Sequence, residues 1–407
     1  MDPEALDRAV ARWRDRILGW RRDIHRHPEL GLDCRRTAGL IARELEAWGL
    51  EVTTGLAETG LAAVLRGDRP GPVVGLRVDL DALPLVEETG LEFASAVNGV
   101  MHACGHDGHA AIGLGAAAVL SEFKAHLNGT VKFIFQPGEE TGQGAERLIE
   151  DGVLENPPVA ALLGFHLHPM LPAGSLGVCC GTVTAGDLEF QITLEGQGGH
   201  AARPHETRDP IAAAGYLLTA LQTVASRRVD PLDPVVVTVG QINGGSGFNV
   251  IPEKVVLKGT ARYLSPAGRA AARQEMDEIL RGLETGFGVE AELEFFGQCP
   301  PLVVDEDLCT FLEGTARRGL AAVEVHRLVR PSMGSEDFAF FARKVPCGYF
   351  RLGCRDEARG LVHPLHHPRF DFDEDLLSLG VRAAALFLSE LLDYPGHEPA
   401  KRPDPGR

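Results

Sequence analysis

The chain has 407 residues, 44% of them hydrophobic and 24% charged, and carries a net charge of −17. This length suits two domains, and the composition is that of a globular protein rather than a disordered or fibrous one. The acidic balance argues against nucleic acid as a partner, because phosphate binding rests on clustered Lys and Arg. The charged N-terminal stretch lacks an apolar signal-peptide core. No apolar run reaches the roughly 18 residues of a membrane span, so no membrane partner is expected and a cytoplasmic location is. The eight cysteines are scattered and do not suggest a disulfide framework.

Taken in chain order, residues 4–27 place apolar side chains at near-helical spacing, and a second helix over 35–48 ends at Gly49. Short apolar runs at 61–66, 73–78, 130–136 and 159–165 read as strands. An Ala-rich helix beginning near Asp107 lies between the second and third of them. This alternation predicts an α/β layer with a mostly parallel sheet. After residue 182 the pattern changes to strand 188–196, helix 209–227, strands 234–242 and 254–264, helix 267–287 and strand 291–296. That is the β-α-β-β-α-β order of a ferredoxin-like α+β domain, inserted into the first. Asp209 followed by Pro210 supplies the N-cap and first position of the first inserted helix. The chain then returns through a helix at 305–319 and a final helix at 373–393. The expected domains are residues 1–183 and 298–395 (catalytic, in two parts), 184–297 (inserted) and 396–407 (a polar, Pro-rich flexible tail).

Reactive residues fall at the carboxyl ends of the expected strands, the edge where open α/β sheets bind ligands. The 73–78 run leads to Asp79 and Asp81, the 130–136 run to Glu139 and Glu140, and the 159–165 run to His166 and His168. Cys104 and His106 stand just before the Ala-rich helix. Thiolate, imidazole and carboxylate converging from four segments predict a transition-metal site. Two adjacent glutamates point in different directions from an extended segment, so one can ligate while the other takes a proton from water. His166 reads as the first residue past its strand and the better ligand of its pair. Asp107 reads as an N-cap, and His102 and His109 as supporting groups. His363, His366 and His367 each offer a remote ligand. No H-E-x-x-H, G-x-S-x-G, P-loop or G-x-G-x-x-G match occurs.

Nine ordered motifs carry a resemblance: HRHPELG (25–31), RVDLDALP (77–84), MHACGHDGHAA (101–111), FQPGEE (135–140), GFHLHP (164–169), GQGGHAARPHETRDPI (196–211), NVIPEKVVLKGTAR (249–262), MGSEDFAFF (333–341) and LHHPRFDFDE (365–374). The sequence resembles the aminoacylase/carboxypeptidase family of metallopeptidases. Within it, the likeness is to the amidohydrolase branch of hippurate hydrolases, N-acyl-amino-acid amidohydrolases and plant auxin-conjugate hydrolases. The resemblance implies a two-metal hydrolase whose inserted domain is a lid and dimerisation element, with a homodimer as the working form. It implies Cys104, His106, Glu140, His166 and His366 as ligands of two divalent ions (Zn, Mn, Co or Ni). It implies Glu139 as general base and Asp81 as the carboxylate that orients a ligand histidine. It implies His200 as a group reaching across a dimer to the scissile carbonyl. Asn249 and Arg262 would hold the substrate carboxylate, and Gly334 and Ser335 would line the cleft. The expected substrate is a small N-acyl amino acid of hippurate or N-acetyl type, with a dipeptidase or carboxypeptidase, or a non-catalytic binding homologue, as alternatives. The sequence departs from the family pattern at Gly138, His367 and Cys34.

Overall fold

The computed structural model describes residues 2–397, and the tail expected over 396–407 lies, past His397, outside them. The chain forms two compact units. One comprises residues 2–181, 303–329 and 340–397, and the other residues 182–302 and 330–339.

The first unit is built on an eight-stranded sheet. Its strands are β1 (Glu51–Leu56), β2 (Gly60–Arg66), β3 (Arg69–Asp79), β4 (Asn128–Gln136), β5 (Ala161–Pro172) and β6 (Leu176–Cys179). In the second unit come β7 (Gly186–Glu195), β8 (Val235–Gly244), β9 (Lys254–Tyr263) and β10 (Glu290–Cys299), after which β11 (Val325–Leu328) and β12 (Cys347–Arg355) complete the first. The order in the large sheet is β1-β2-β4-β3-β5-β12-β6-β11. The central strands β4, β3, β5 and β12 are parallel. Antiparallel pairing appears toward the margins, between β1 and β2, β2 and β4, and β12 and β6. The sheet is thus mostly parallel in the middle, where burial on both faces suits near-continuous apolar runs such as Phe133-Ile134-Phe135.

Helix α1 (Pro3–Arg26) starts where Asp2 accepts the Glu4 and Ala5 amides, with Pro3 in its first turn. Its buried stripe of Leu6, Val10, Ile17, Trp20 and Ile24 joins one hydrophobic core with α2 (Arg35–Ala47), α3 (His106–Glu122) and the sheet. α3 is buried on every side from His106 to Leu120, which its Ala- and Gly-rich sequence permits.

In the second unit, α4 (Pro210–Thr223) and α5 (Pro266–Phe287) accompany an antiparallel sheet of order β8-β9-β7-β10, the ferredoxin-like arrangement. Asp209 caps α4 by accepting the Ile211 and Ala212 amides. The unit has its own core, centred on Leu188, Phe190, Ile192, Leu217 and Leu257. Helices α6 (Glu306–Gly319) and α7 (Asp375–Leu391) return to the first unit.

Four expectations change. Residues 330–339 group with the second unit rather than the first, because Ser332 exchanges backbone hydrogen bonds with Val183 and Ala185, and Cys299 Sγ donates to the Glu336 carbonyl. β5 does not end at Phe165: it continues to Pro172, so His166 and His168 lie within it. Asp107 is not an N-cap, because that position belongs to Gly105, at φ +85°. Two of the eight cysteines, Cys180 and Cys309, form a disulfide within the first unit. Among the described residues, no helix is long and apolar enough to cross a membrane.

Candidate metal centre

The site belongs to the first unit and is assembled from backbone geometry outward. Gly105 adopts a left-handed conformation that turns the chain into α3, and a Cβ there would stand 2.6 Å from Leu167. This turn brings Cys104 and His106, both buried, to the start of the helix. The His106 Nδ1–H donates to the Asp81 carbonyl at 2.8 Å, and the His166 Nδ1–H donates to the Leu167 carbonyl at 2.7 Å. Each imidazole is thereby fixed in the tautomer that leaves Nε2 as a lone-pair donor. Cys104 Sγ lies 3.5 Å from His166 Nε2.

Asp81 meets His106 through its main-chain carbonyl rather than through the carboxylate that the resemblance implies. Its main-chain carbonyl holds His106, while its two carboxylate oxygens accept the Glu139 and Glu140 amides, each at 3.0 Å. The adjacent glutamates are therefore clamped from behind. Glu139 Oε2 lies 3.9 Å, and Glu140 Oε1 4.0 Å, from His106 Nε2. The third source is a distant loop. His366, at φ +63°, donates its amide to the Ala103 carbonyl at 2.8 Å, docking its loop beside Cys104. His366 Nε2 approaches Glu140 Oε1 to 3.4 Å. His363 and His367 instead stack on each other, centroids 4.2 Å apart, and the Arg369 amide donates to His367 Nδ1.

Ligand atoms of Cys104, His106 and His166 lie within 4.8 Å of one another, and so do those of Cys104, Glu140 and His366. Cys104 belongs to both groups, so the arrangement can serve two ions. The donor set suits divalent cations. His106 Nε2 is buried without a hydrogen-bond partner, as an atom waiting for a cation would be. The electrostatics agree. Burial, with Glu140 adding, pushes the Cys104 thiol well above its usual range. Burial opposes charge on His106, yet Asp79 and Cys104 raise its pKa well above the usual value. Burial also holds His166 well below its usual value, keeping it a neutral donor. Cys104 and His106 hold their protons in this pocket, and a bound metal cation would displace them.

Asp79, His106 and His109 form a further cluster, but His109 is fully engaged. Its Nδ1–H donates to Asp79 at 2.6 Å, and its Nε2 accepts the Leu167 amide at 3.0 Å. β3 pairs with β5 only as far as Leu163, so His109 takes the place of a strand for the Leu167 N–H. Arg77 in turn donates to Asp79 at 2.7 Å and to Gln136 at 2.8 Å. His102 is buried with neither ring nitrogen hydrogen-bonded, and burial holds its pKa down near 3.

Three residues behind the site were given no role from the sequence: Arg21, which lies in no motif, and His25 and Arg77, which each open one. Asp107 accepts from Arg21 at 3.1 Å and from His25 at 2.9 Å. Their signal was charge in an apolar context. Arg21 stands in the buried stripe of α1 between Ile17 and Ile24, and Arg77 within an otherwise apolar strand.

The other expected residues lie in the second unit. His200 forms a two-residue ribbon, Gly199–His200, with Val250–Ile251, and the Ala201 amide donates to the Asn249 carbonyl. His200 and Asn249 are thus neighbours, both exposed. Arg262, on β9, donates to Ser335 Oγ at 2.8 Å and pairs with Asp187 at 3.4 Å, and Gly334 adjoins this pair.

A mostly parallel sheet whose carboxyl edge gathers a thiol, imidazoles and paired glutamates defines a hydrolase of the metallopeptidase class. The chain belongs to peptidase family M20/M25/M40, whose model matches residues 75–390. It is 39% identical over 381 residues to the N-acetylcysteine deacetylase of Bacillus subtilis, covering 92% of this chain and 96% of the relative. It is 37% identical over 386 residues to thermostable carboxypeptidase 1 of Saccharolobus solfataricus, covering 94% and 97%. A solved structure of the YXEP protein from Bacillus subtilis, described as a dinuclear metal-binding peptidase of the M20 family, superposes with a TM-score of 0.82. It shares 34% sequence identity and covers 94% of this chain and 99% of that one.

Proposed function

We propose that the protein is a two-metal amidohydrolase that cleaves N-acyl amino acids, of N-acetyl or hippurate type, into a carboxylic acid and an amino acid. Cys104, His106, Glu140, His166 and His366 would hold the two divalent ions, and thiolate with imidazole suits Zn, Mn, Co or Ni. When bound, such ions supply Lewis acidity and lower the pKa of coordinated water toward about 7. Glu139 accepts the proton of the attacking water and delivers it to the leaving amine. Asp81 keeps Glu139 and Glu140 in fixed positions, so that neither role needs rearrangement.

The observation that carries this reading is the clamp of both glutamate amides by one buried carboxylate, beside a histidine whose Nε2 makes no hydrogen bond. In the second unit, Arg262, held by Ser335 and Asp187, suits a free substrate carboxylate. Asn249 and Gly334 would complete that subsite. His200 donates to the scissile carbonyl oxygen as charge develops there. Exposed Ile211, Tyr216, Ile242, Phe248 and Val250 in the same unit favour a homodimer joined through it, in which His200 serves the partner subunit. The likeness to a deacetylase of an N-acetyl amino acid supports the acyl-amino-acid reading, and the likeness to a carboxypeptidase favours a second, cleavage of dipeptides at the same site.

The test is Glu139→Gln. Turnover is expected to fall by about 10²- to 10⁴-fold with two ions still bound per chain. Undiminished turnover would overturn the mechanism. A panel of N-acetyl amino acids, hippurate and dipeptides, run with each metal on chelator-stripped enzyme, separates the two substrate readings.

A further inference from the structure

A charged group buried outside the ligand cluster is Arg21, on α1, whose side chain is 1% exposed. Its Nε donates to Asp107 at 3.1 Å, and its Nη2 donates to Asp371 at 2.6 Å. Glu374 lies 3.4 Å from Nη1, and the guanidinium sits 3.8 Å from the centre of the Phe372 ring. Asp107 directly follows His106, and Asp371 follows His366 by five residues. One buried cation therefore ties together the two chain segments that present Cys104–His106 and His366. The two segments also meet in the backbone, where His366 donates its amide to Ala103. Phe372 packs against Gly108 so closely that a Cβ there would stand 2.6 Å from its ring.

A buried guanidinium is costly unless every arm is paired, and a less expensive way to join α1 to α3 would be apolar contact. Its fork geometry does what apolar contact cannot: it fixes the relative position of two carboxylates on different segments. We propose that Arg21 is a positioning residue for the metal centre, and that through Asp371 it sets the affinity of one of the two ions, the one that draws on His366. This rests on the ligand assignment proposed above. The asymmetry follows from the two donor groups: His366 belongs to the Cys104–Glu140 group and not to the group of Cys104, His106 and His166.

The decisive variant is Asp371→Asn. It removes the charge from the arm toward the His366 segment, leaving an acceptor of the same shape and the Arg21–Asp107 pair, and Asp371 is partly exposed, so folding tolerates the change. Arg21→Lys is the companion, keeping the charge and losing the fork. Chelator-stripped protein is titrated with Co²⁺, and each ion's affinity and the stoichiometry are read by competition with a chromophoric chelator. Wild-type protein is expected to bind two ions. Asp371→Asn is expected to weaken one of them about 10- to 100-fold, the range for outer partners of metal ligands, and leave the other unchanged. Arg21→Lys is expected to weaken the same ion by at least as much. Unchanged affinities, or an equal loss at both ions, would overturn the proposal. Wild-type protein that takes up no Co²⁺ refutes the ligand assignment itself, a result distinct from failure of the Arg21 role.

Discussion

His25 donates one ring N–H to Asp107 and lies 3.2 Å from Glu87 through the other nitrogen. Burial alone would lower its pKa, but the Asp107 charge and hydrogen bond, with Glu87, raise it from 6.5 to about 9. The unfolded chain releases this proton near pH 6.5, and the folded chain keeps it until about pH 9. Between those values the folded state binds more protons, so stability falls as pH rises. The whole contribution, on the order of 3 kcal/mol, is present below pH 6.5. Chemical denaturation of the metal-free protein at pH 6, 7.5 and 9 should record this loss, and His25→Gln should flatten it. The candidate donors could be picked out in the sequence because thiol, imidazole and carboxylate residues follow apolar runs, where few other causes gather them, while the choice of His366 came from the resemblance. The donors' supports could not be picked out. Asp107 carries the local signature of a cap, and only the fold brings Arg21 and His25, more than eighty residues earlier, against it.

At the scale of elements, α3 is placed by its first turn. Gly105 needs a positive φ and lies against Leu167, so Gly105→Ala meets both backbone strain and a close contact. The variant is expected to lose about 1–3 kcal/mol of stability and to bind metal more weakly, read as a lower melting temperature both with chelator and with added Zn²⁺. An unchanged melt would show that the turn relaxes without cost. Most of the helices and strands that were predicted match within two or three residues, because their periodicity and caps are local, but β1, β6, β11 and β12 were not predicted. β5 was cut short at Phe165 because the histidines that follow look like loop chemistry. The strand persists because β12 pairs with it as far as Pro172, a partner nearly two hundred residues away. The loop at 330–339 was misallotted for a similar reason, since its attachment to Val183 and Ala185 is purely backbone.

For the whole molecule, the Cys180–Cys309 bond spans 129 residues of sequence and closes the run that holds the inserted domain. Its sulfurs are far apart in sequence, which is why the cysteine pattern did not announce it. In the chain-entropy account, a loop of this length is worth at most about 5 kcal/mol. Alkylation under denaturing conditions is expected to label six thiols without reductant and eight with it, and reductant should lower the melting temperature. Eight labelled thiols in both cases would assign the pair to the reduced state normal for a reducing compartment.

The position of β12 has a temporal consequence. It sits between β5 and β6, yet it is made some 170 residues after them, and His366 later still. On a growing chain, β5 and β6 emerge as open edges facing a missing neighbour, while the inserted domain can fold around its own core. The donor group that needs His366 is complete only after the inserted domain and β12 have been made. The Cys104–Glu140–His366 group therefore forms only on a chain made past His366, and any molecule broken off before residue 347 lacks β12 and leaves β5 and β6 with open edges.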